Sequence, residues 1–221
     1  MKIKKVYLWE NPIRPNHAPR NIERSYDFSW KSLADFQAHG WNNIVTDGTY
    51  TIDSDGVKQT SGSNDRRICV SAAFPAEYVN AKKIEVYFTG YYMYASWSNW
   101  KQLRISPNWE ITPSNCLGFY VSFASNSGSQ DTYLYINGSN IYWVQQARTT
   151  WLTNFTLIVD FENKTAQTIL TWANTRDRTI TLTDAQLATI KTFGYIAPVR
   201  WRGYSSYNGE YLKSLWYKIY F

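Results

Sequence analysis

The sequence has few of the residues from which catalytic and metal sites are most often built. Its 221 residues include 2 Cys and 2 His, and the histidines, His17 and His39, stand far apart. A protein-built metal site needs several ligands at a characteristic spacing, and a nucleophilic enzyme needs a Ser or Cys beside a base. The sequence has neither pattern, so we predict no catalytic residue, no metal and no cofactor.

One acidic stretch, DGTYTIDSDG at residues 47–56, is the nearest approach to a cation site. It contains Asp47, Asp53 and Asp55, but not at the spacing of an EF-hand loop. A polar hairpin is the favoured interpretation. Calcium at Asp53 and Asp55 is the alternative.

Long hydrophobic runs and a strong charge imbalance are also missing. No stretch approaches the roughly 18 apolar residues of a membrane-spanning helix, and the N-terminus lacks the apolar core of a signal peptide. We therefore expect no membrane span and a mature chain that begins at Met1. The formal net charge is +6, with the basic residues scattered, which does not favour nucleic acid as a partner.

The two cysteines, Cys69 and Cys116, both lie in apparent strands with apolar neighbours. Free Cys behaves as a small hydrophobic residue, so buried thiols are the favoured interpretation. A disulfide between facing strands is the alternative.

Aromatic residues are abundant: the chain has 18 Tyr, 11 Trp and 10 Phe, against only 18% charged residues. Tyr and Trp have an apolar body and a polar end that needs a hydrogen-bond partner. So many of them favour a protein that binds other molecules over one that catalyses a reaction.

Strand-like alternation of apolar and polar residues recurs along the chain. It predicts strands over 67–73, 84–89, 117–123 and 155–161, each with one buried face. The alternation returns in YLKSLWYKIYF, and we expect this C-terminal run to be part of the sheet. In YLYINGSNIYW, Asn137 and Gly138 suit the positive φ angles of a two-residue hairpin turn.

Two short helices interrupt the strands. Ser32 and Asp35 predict a capped helical turn ended by Gly40, with Leu33 and Phe36 facing inward. Thr183 and Gln186 predict a second cap, with Leu187, Ile190 and Phe193 inward and Gly194 at its end. Together, the elements predict an all-β, two-sheet antiparallel sandwich with one or two short helices.

The first 24 residues differ from the rest. They begin with basic, alternating residues and continue with Pro12, Pro15 and Pro19, a density that excludes a helix. An extended arm that contacts another subunit and an edge strand over Ile3 to Trp9 are equally open interpretations. We predict an assembly arm at 1–24, followed by one domain at 25–221; the arm residues that we expect to make contacts are Lys4, Lys5, Tyr7, Trp9 and Arg14.

Two aromatic clusters are the candidate binding residues. The first, in TGYYMYASWSNWKQLRISPNW, gives Trp97, Asn99, Trp100 and Lys101 as a platform for sugars, which stack on aromatic rings. The second, in VRWRGYSSYNGEY, suits an anionic, sugar or protein ligand. It consists of Arg200, Trp201, Arg202, Tyr204 and Tyr207. Packing within the core or between subunits is the alternative for both clusters.

Four segments, in order, are similar to the concanavalin A-like lectin/glucanase jelly roll: SYDFSWKSLADFQAHGW, KKIEVYFTG, NFTLIVDFENKTAQTIL and YLKSLWYKIYF. They span nearly everything after Ser25. The resemblance implies a two-sheet jelly roll. That family includes lectins, glycosidases and purely structural modules, so the fold alone does not determine the function.

The glucanases of that family carry closely spaced acidic residues on one strand, and this chain lacks their motif. Its nearest pair is Asp160 and Glu162, in IVDFENKT. Two carboxylates at such a position suit a glycosidase nucleophile and acid, but acidic residues are also common at turns. We favour the turn interpretation and predict that the protein is not an enzyme.

The opening, MKIKKVYLWENPIRP, resembles the start of phage virion proteins in which a basic β-arm precedes a jelly-roll or fibre domain. The resemblance implies a virion component whose arm contacts other virion proteins or copies of itself. Our first hypothesis is therefore a non-enzymatic virion structural or attachment protein, a homo-oligomer located in the virion that binds host-surface glycans. A free carbohydrate-binding lectin is the alternative, and a glycoside hydrolase is third.

Overall fold

The structure is a computed structural model that describes residues 21–28, 32–46, 49–53, 56–59, 67–89, 100–107, 117–123, 129–147, 154–170, 177–201, 211–212 and 214–221. The predicted arm contacts and the edge strand over Ile3 to Trp9 lie outside these residues, as does Cys116.

The described elements are sixteen strands, two α-helices and one 3₁₀ turn. In chain order they are β1 (Ile22–Asp27), α1 (Leu33–Ala38), β2 (Trp41–Thr46), β3 (Tyr50–Asp53), β4 (Gly56–Gln59), β5 (Arg67–Ala73), the 3₁₀ turn (Ala76–Asn80), β6 (Lys83–Thr89), β7 (Trp100–Ser106), β8 (Leu117–Phe123), β9 (Ser129–Ile136), β10 (Ser139–Ala147), β11 (Asn154–Asp160), β12 (Thr165–Leu170), β13 (Arg178–Thr181), α2 (Asp184–Lys191), β14 (Tyr195–Trp201), β15 (Tyr211–Leu212) and β16 (Ser214–Tyr220).

The strands form three sheets. A six-stranded sheet has the order β1-β16-β6-β11-β12-β13, and a seven-stranded sheet has the order β10-β9-β8-β7-β14-β5-β2. A small third sheet has the order β15-β4-β3. Every described strand pairing is antiparallel, which confirms the predicted all-β class.

One hydrophobic core joins the two large sheets. Alternate residues of β16 and β6 are buried in it from one side, and Ala72 of β5, Ile105 of β7, Leu117 of β8 and Ile196 of β14 are buried from the other. Each fully buried aliphatic side chain contributes roughly 1.5–3 kcal/mol to the free energy of unfolding. The innermost residues from the two sheets include Ile84, Val86, Leu157, Ile219, Ile105, Leu117 and Ile196.

The predicted strands match the structure closely. The bounds of β5 and β8 are those that the alternation predicts, and β6 begins one residue before the predicted start. The predicted strand at 155–161 is β11, and Phe161 follows it as a buried turn residue. The residues of β16 alternate between half-buried and buried up to Tyr220, and the Phe221 amide donates to Asn21 Oδ1 at 3.4 Å, so the C-terminal run belongs to the sheet as predicted.

The first helix departs from the prediction in one respect. Ser32 caps α1 by accepting a hydrogen bond from the Asp35 amide at 3.1 Å, and Gly40 follows the helix with a φ of 84°. Phe36 is buried against the Trp41 ring, but the expectation that Leu33 faces inward is wrong, because 44% of its surface is exposed. The helix has only six residues, and Leu33 lies in its first turn, before the turn that reaches the core.

The second helix has the predicted cap and buried face. Thr183 Oγ1 accepts from the Gln186 amide and Gln186 Oε1 accepts from the Thr183 amide, a complete capping box. The helix ends at Lys191 with Thr192 as its C-cap, two residues before the predicted Gly194. Leu187 and Ile190 of the helix are buried as predicted, and so is Phe193, which follows the C-cap.

The predicted boundary between arm and domain falls inside a strand. Residues 22–24 belong to β1 and pair with Ile219, Lys218 and Tyr217 of β16. Any truncation that removes the arm therefore has to end before Ile22.

Half-buried aromatic and charged side chains cover the outer face of the six-stranded sheet. Trp216 lies 4.7 Å from Tyr87 between ring centroids, and its Nε1 donates to Glu23 at 2.8 Å. Tyr220 donates to Glu85 at 2.8 Å; burial, together with the Glu85 hydrogen bond and charge, raises the pKa of Tyr220 to about 12. These contacts hold the rings of Trp216, Tyr87 and Tyr220 in place on the face of the sheet that is away from the core.

The turn between β9 and β10 generates a stability prediction. Asn137 and Gly138 have φ angles of 49° and 79°, as the two-residue turn requires. A β-branched residue at such a φ is strained, so Gly138→Val is expected to lower the free energy of unfolding by about 1–2 kcal/mol in urea denaturation.

The matched control is Asn137→Gly, which keeps the positive φ accessible and is expected to change stability by less than about 0.5 kcal/mol. Equal losses in both variants would contradict the turn geometry.

Candidate functional site

The two aromatic clusters predicted from sequence meet in the seven-stranded sheet. In the antiparallel pairing of β7 with β14, Trp100 lies directly opposite Trp201. Lys101 lies directly opposite Arg200 in the same pairing. Residues from distant parts of the chain thus become neighbours at one end of the sheet.

The strand register extends these paired positions into a row across six strands. Arg67 is opposite Trp201, Ser122 is opposite Trp100, and Asp131 is opposite Ser122. Gln145 of β10 is opposite Asp131. We call these positions the sheet-end row: Arg67, Trp201, Trp100, Ser122, Asp131 and Gln145.

The sheet-end row occupies the face of the sheet that turns away from the core. Ile105 of β7 and Ile196 of β14 are fully buried in the core, and they are directly paired. Residues along a strand alternate between faces, so Trp100 and Trp201, each five positions away, take the outer face. The row therefore lies on the side of the sheet that faces away from the core between the two large sheets.

Lys101 and Arg200 take the opposite face. Each is four positions from the buried Ile105 or Ile196, so both share the inner face of the sheet at the ends of their strands.

A second row on the outer face is also rich in aromatic and amide residues. Gln102 is opposite Tyr120, Tyr120 is opposite Tyr133, and Tyr133 is opposite Trp143. Aromatic rings for stacking and amides or hydroxyls for hydrogen bonds are the groups that carbohydrate sites use.

Further along the same face, the sheet is buried. Arg104 is 1% exposed and is directly opposite Ala197 and Gly118. Ala197 and Tyr135 are also buried, although neither belongs to the hydrophobic cluster between the two large sheets. The buried guanidinium of Arg104 therefore places a charged group on this face, four residues along β7 from Trp100.

The other predicted site residues lie outside the described residues. They are Trp97, Asn99, Arg202, Tyr204 and Tyr207, together with the arm residues Lys4, Lys5, Tyr7, Trp9 and Arg14. Asn99 directly precedes β7 and Arg202 directly follows β14, so both adjoin the sheet-end row along the chain. Their roles stay predictions.

Sequence reasoning missed strand β14, and a proline explains why. The segment YIAPVRW alternates like a strand, but Pro198 argues against a central position because it has no amide to donate. The structure places β14 between β5 and β7 nonetheless. Pairing with β7 is continuous, whereas the β5 side has no paired position at Ala197 and Pro198, so the missing amide falls in that interruption.

The acidic pair considered for glycoside hydrolysis forms a turn. Asp160 Oδ1 accepts from the Glu162 and Asn163 amides at 3.1 and 2.8 Å, and Oδ2 accepts from Asn163 Nδ2 at 2.8 Å. Burial alone would raise the pKa of the Asp160 carboxyl, but these hydrogen bonds and the charge of Lys83 outweigh it and hold the pKa below its ordinary value. Asp160 therefore caps the β11–β12 turn, as the favoured interpretation predicted.

The described residues also bear on the predictions about metal sites and membrane-spanning helices. Among them, no group of three or more His, Cys, Asp or Glu side chains is close enough to hold a metal ion, and no helix is long and apolar enough to cross a membrane. Strands β3 and β4 pair antiparallel with Asp53 opposite Gly56, as the predicted hairpin requires, while Asp47 and Asp55 lie outside the described residues.

Comparison with known proteins supports the fold. No family profile and no curated protein sequence matches the chain. Peanut lectin, solved with a 9-residue peptide, has a TM-score of 0.58 at 14% identity, covering 91% of this chain and 98% of that one. The lectin from Bauhinia forficata, in complex with GalNAc, has a TM-score of 0.56 at 10% identity, covering 90% and 98%.

A phage protein shares the same fold. The CBM2 module of the evolved Dit of Lactobacillus casei BL23 phage J-1 has a TM-score of 0.54 at 10% identity, covering 93% of each chain. These similarities confirm the predicted concanavalin A-like sandwich. At such low identity they show the fold alone.

The turn role of Asp160 generates a pH prediction. Because its folded pKa lies below the unfolded value of about 3.9, its contribution to stability is fully present above that value and is lost as pH falls through the folded pKa. Asp160→Ala is expected to lower the free energy of unfolding by about 1 kcal/mol at pH 7, with the difference from the native protein shrinking below about pH 4.

The control for this measurement is Glu162→Gln. The Glu162 side chain is 63% exposed and 3.7 Å from Lys82, so its removal is expected to cost less than about 0.5 kcal/mol. Urea denaturation at several pH values checks both variants. A difference between Asp160→Ala and the native protein that stays constant from pH 7 to pH 2 would contradict the account.

Proposed function

We propose that this protein binds carbohydrate on the outer face of its seven-stranded sheet, and that it does so as a non-enzymatic structural or attachment component of a phage virion. The observation that supports this most directly is the register that sets Trp100 opposite Trp201. Directly paired positions lie about 4.5–5.5 Å apart between Cβ atoms, so the strand pairing makes the two Trp residues direct neighbours.

The composition of the two outer rows suits a saccharide. Sugars present apolar C–H faces that stack on aromatic rings and hydroxyls that need hydrogen-bond partners. Ser122, Asp131 and Gln145 continue the sheet-end row beyond the two tryptophans, at about 4.8 Å per strand. A row of six strands thus spans roughly 24 Å, long enough for several sugar residues.

The comparisons support the same proposal. One lectin of this fold is in complex with GalNAc, and another protein of this fold is a CBM2 module of a phage Dit. The match to the phage module covers 93% of each chain. The virion assignment also rests on the resemblance of residues 1–15 to the basic arms of phage virion proteins.

A glycosidase is disfavoured by the acidic pair itself. Both oxygens of the Asp160 carboxylate accept hydrogen bonds within its own turn, three in all, so this group is engaged in the turn, and its lowered pKa does not suit a general acid.

The binding proposal predicts the effect of removing each indole. Trp100→Ala or Trp201→Ala is expected to weaken glycan binding by roughly tenfold, because a lost aromatic contact costs about 0.5–1.5 kcal/mol beyond the area that it buries, and 1.4 kcal/mol is a factor of ten. A glycan array followed by calorimetry on the strongest hit measures this.

Trp216→Ala is the matched control. Trp216 is a half-buried tryptophan of the six-stranded sheet, on the other side of the core, and binding is expected to persist without it. If Trp216→Ala loses binding while the other two variants keep it, the ligand binds the six-stranded sheet, and the proposal is contradicted.

The virion proposal predicts an assembly role for the arm. Deletion of residues 1–20, which leaves β1 intact, is expected to convert an oligomer into a monomer in light scattering while glycan binding persists. A full-length chain that is already monomeric would favour the alternative, a free lectin.

A further inference from the structure

The short helix α1 buries only one of its side chains. Of its six residues only Phe36 is buried, and the two residues that follow the helix, His39 and Gly40, are exposed. A helix of this length is far below the roughly 12–15 residues at which an isolated helix becomes even marginally stable in water. Its stability therefore depends on the packing of Phe36 and on the cap that Ser32 provides.

Phe36 packs into a cluster of aromatic rings that joins the two large sheets. Its ring centroid lies 6.1 Å from that of Phe28 and 6.1 Å from that of Trp41, and all three side chains are fully buried. The Trp41 ring also lies 4.8 Å from Phe28 and 4.9 Å from Tyr26. Tyr26 belongs to β1 and Trp41 to β2, the terminal strands in the described order of the two sheets. The helix therefore covers the cluster on one side of the sandwich.

The Trp41 ring carries a buried donor that is not satisfied. In the part of the chain that the structure describes, Trp41 Nε1 is buried and has no hydrogen-bond partner. A buried donor without an acceptor costs free energy, because the group has lost its hydrogen bonds to water. The closed position of α1 bears this cost, and a position that exposes the indole to water does not.

We propose that α1 is a lid over the Trp41 ring, and that it opens as a local unit while the strands of both sheets stay paired. The lid has one buried side chain to withdraw, and regions with few buried apolar contacts open at a lower free energy than core strands. Gly40 joins the helix to Trp41, and no atom lies within 4 Å of the position that a Cβ at Gly40 would take, so the helix has room to move there.

The lid is distinct from the proposed carbohydrate site. Trp41 is opposite Ala72 near the end of β5, whereas Arg67 of the sheet-end row is at the start of that strand. The inference therefore does not rest on the proposed function.

Hydrogen exchange in the full-length protein tests the lid, because the Trp41 indole N–H is itself exchangeable. Its signal in a proton–nitrogen correlation spectrum is identified by its loss in Trp41→Phe. The amides of Phe36 and Gly40 donate within the helical segment, to the Ser32 and Gln37 carbonyls at 3.1 and 2.9 Å, and they report the opening of α1. We expect these amides and the indole N–H to exchange faster than the amides of β6, which exchange by unfolding of the whole domain.

Removal of the helix cap shifts the lid without a change in the aromatic cluster. Ser32 is exposed, and Ser32→Ala loses the hydrogen bond from the Asp35 amide. Loss of an N-cap costs typically about 1 kcal/mol, which is about fivefold in an equilibrium constant. We expect the Trp41 indole N–H and the α1 amides to exchange about fivefold faster in this variant.

Thr183→Ala is the matched control, because Thr183 is the N-cap of the other helix, α2, and accepts from the Gln186 amide at 3.2 Å. This variant destabilises the native state relative to the unfolded chain, but α2 stays folded whether the lid is closed or open. We therefore expect the β6 amides to exchange faster in both cap variants, and the Trp41 indole N–H to exchange faster only in Ser32→Ala.

Two results would overturn the inference. Equal acceleration of the indole N–H in Ser32→Ala and Thr183→Ala would mean that only unfolding of the whole domain exposes the ring. Faster α1 amides in Ser32→Ala, with an unchanged indole N–H, would mean that α1 opens without uncovering Trp41. Neither result affects the carbohydrate proposal, which is tested by binding alone.

Discussion

The antiparallel position of β14 between β5 and β7 is the constraint on which the rest of the account depends. It brings the end of β14 beside the starts of β5 and β7, three strands that are remote from one another in sequence. The buried pair of Ile196 and Ile105 fixes which face each residue takes, because a one-residue slip would exchange the core face for the outer face. Packing of the core thereby sets the geometry of the candidate site.

The two ends of the sandwich differ in chemistry. At the end opposite the sheet-end row, turns and caps satisfy backbone groups: the Phe161 amide donates to the Lys82 carbonyl, and the Lys82 amide donates to the Tyr220 carbonyl, both at 2.8 Å. Asp160 caps the adjacent turn, and Lys164 Nζ lies 2.8 Å from Asp184 of α2. The sheet-end row carries aromatic, amide and basic residues instead. The hydrogen bonds and the ion pair at one end therefore stabilise the fold, whereas the other end carries the groups that we propose bind the ligand.

Local patterns in the sequence predicted much of the fold, but not the site. Alternation located β5 and β8, and the turn chemistry of Asn137 and Gly138 located a hairpin, since both depend on residues close in sequence. The meeting of Trp100 with Trp201 depends on long-range pairing, which no local pattern encodes, and Pro198 obscured the strand that brings it about. The error at Leu33 has the same origin, because only the tertiary position of α1 determines which of its residues reaches the core.

The central claim is that a glycan binds at the sheet-end row. Hydrogen–deuterium exchange with and without the tightest-binding glycan tests it most directly, because exchange reports protection peptide by peptide. The account predicts protection in peptides that contain the start of β7 and the end of β14, and no change in β6 and β16. Protection confined to β6 and β16 would contradict it, since those strands carry the outer face of the other sheet.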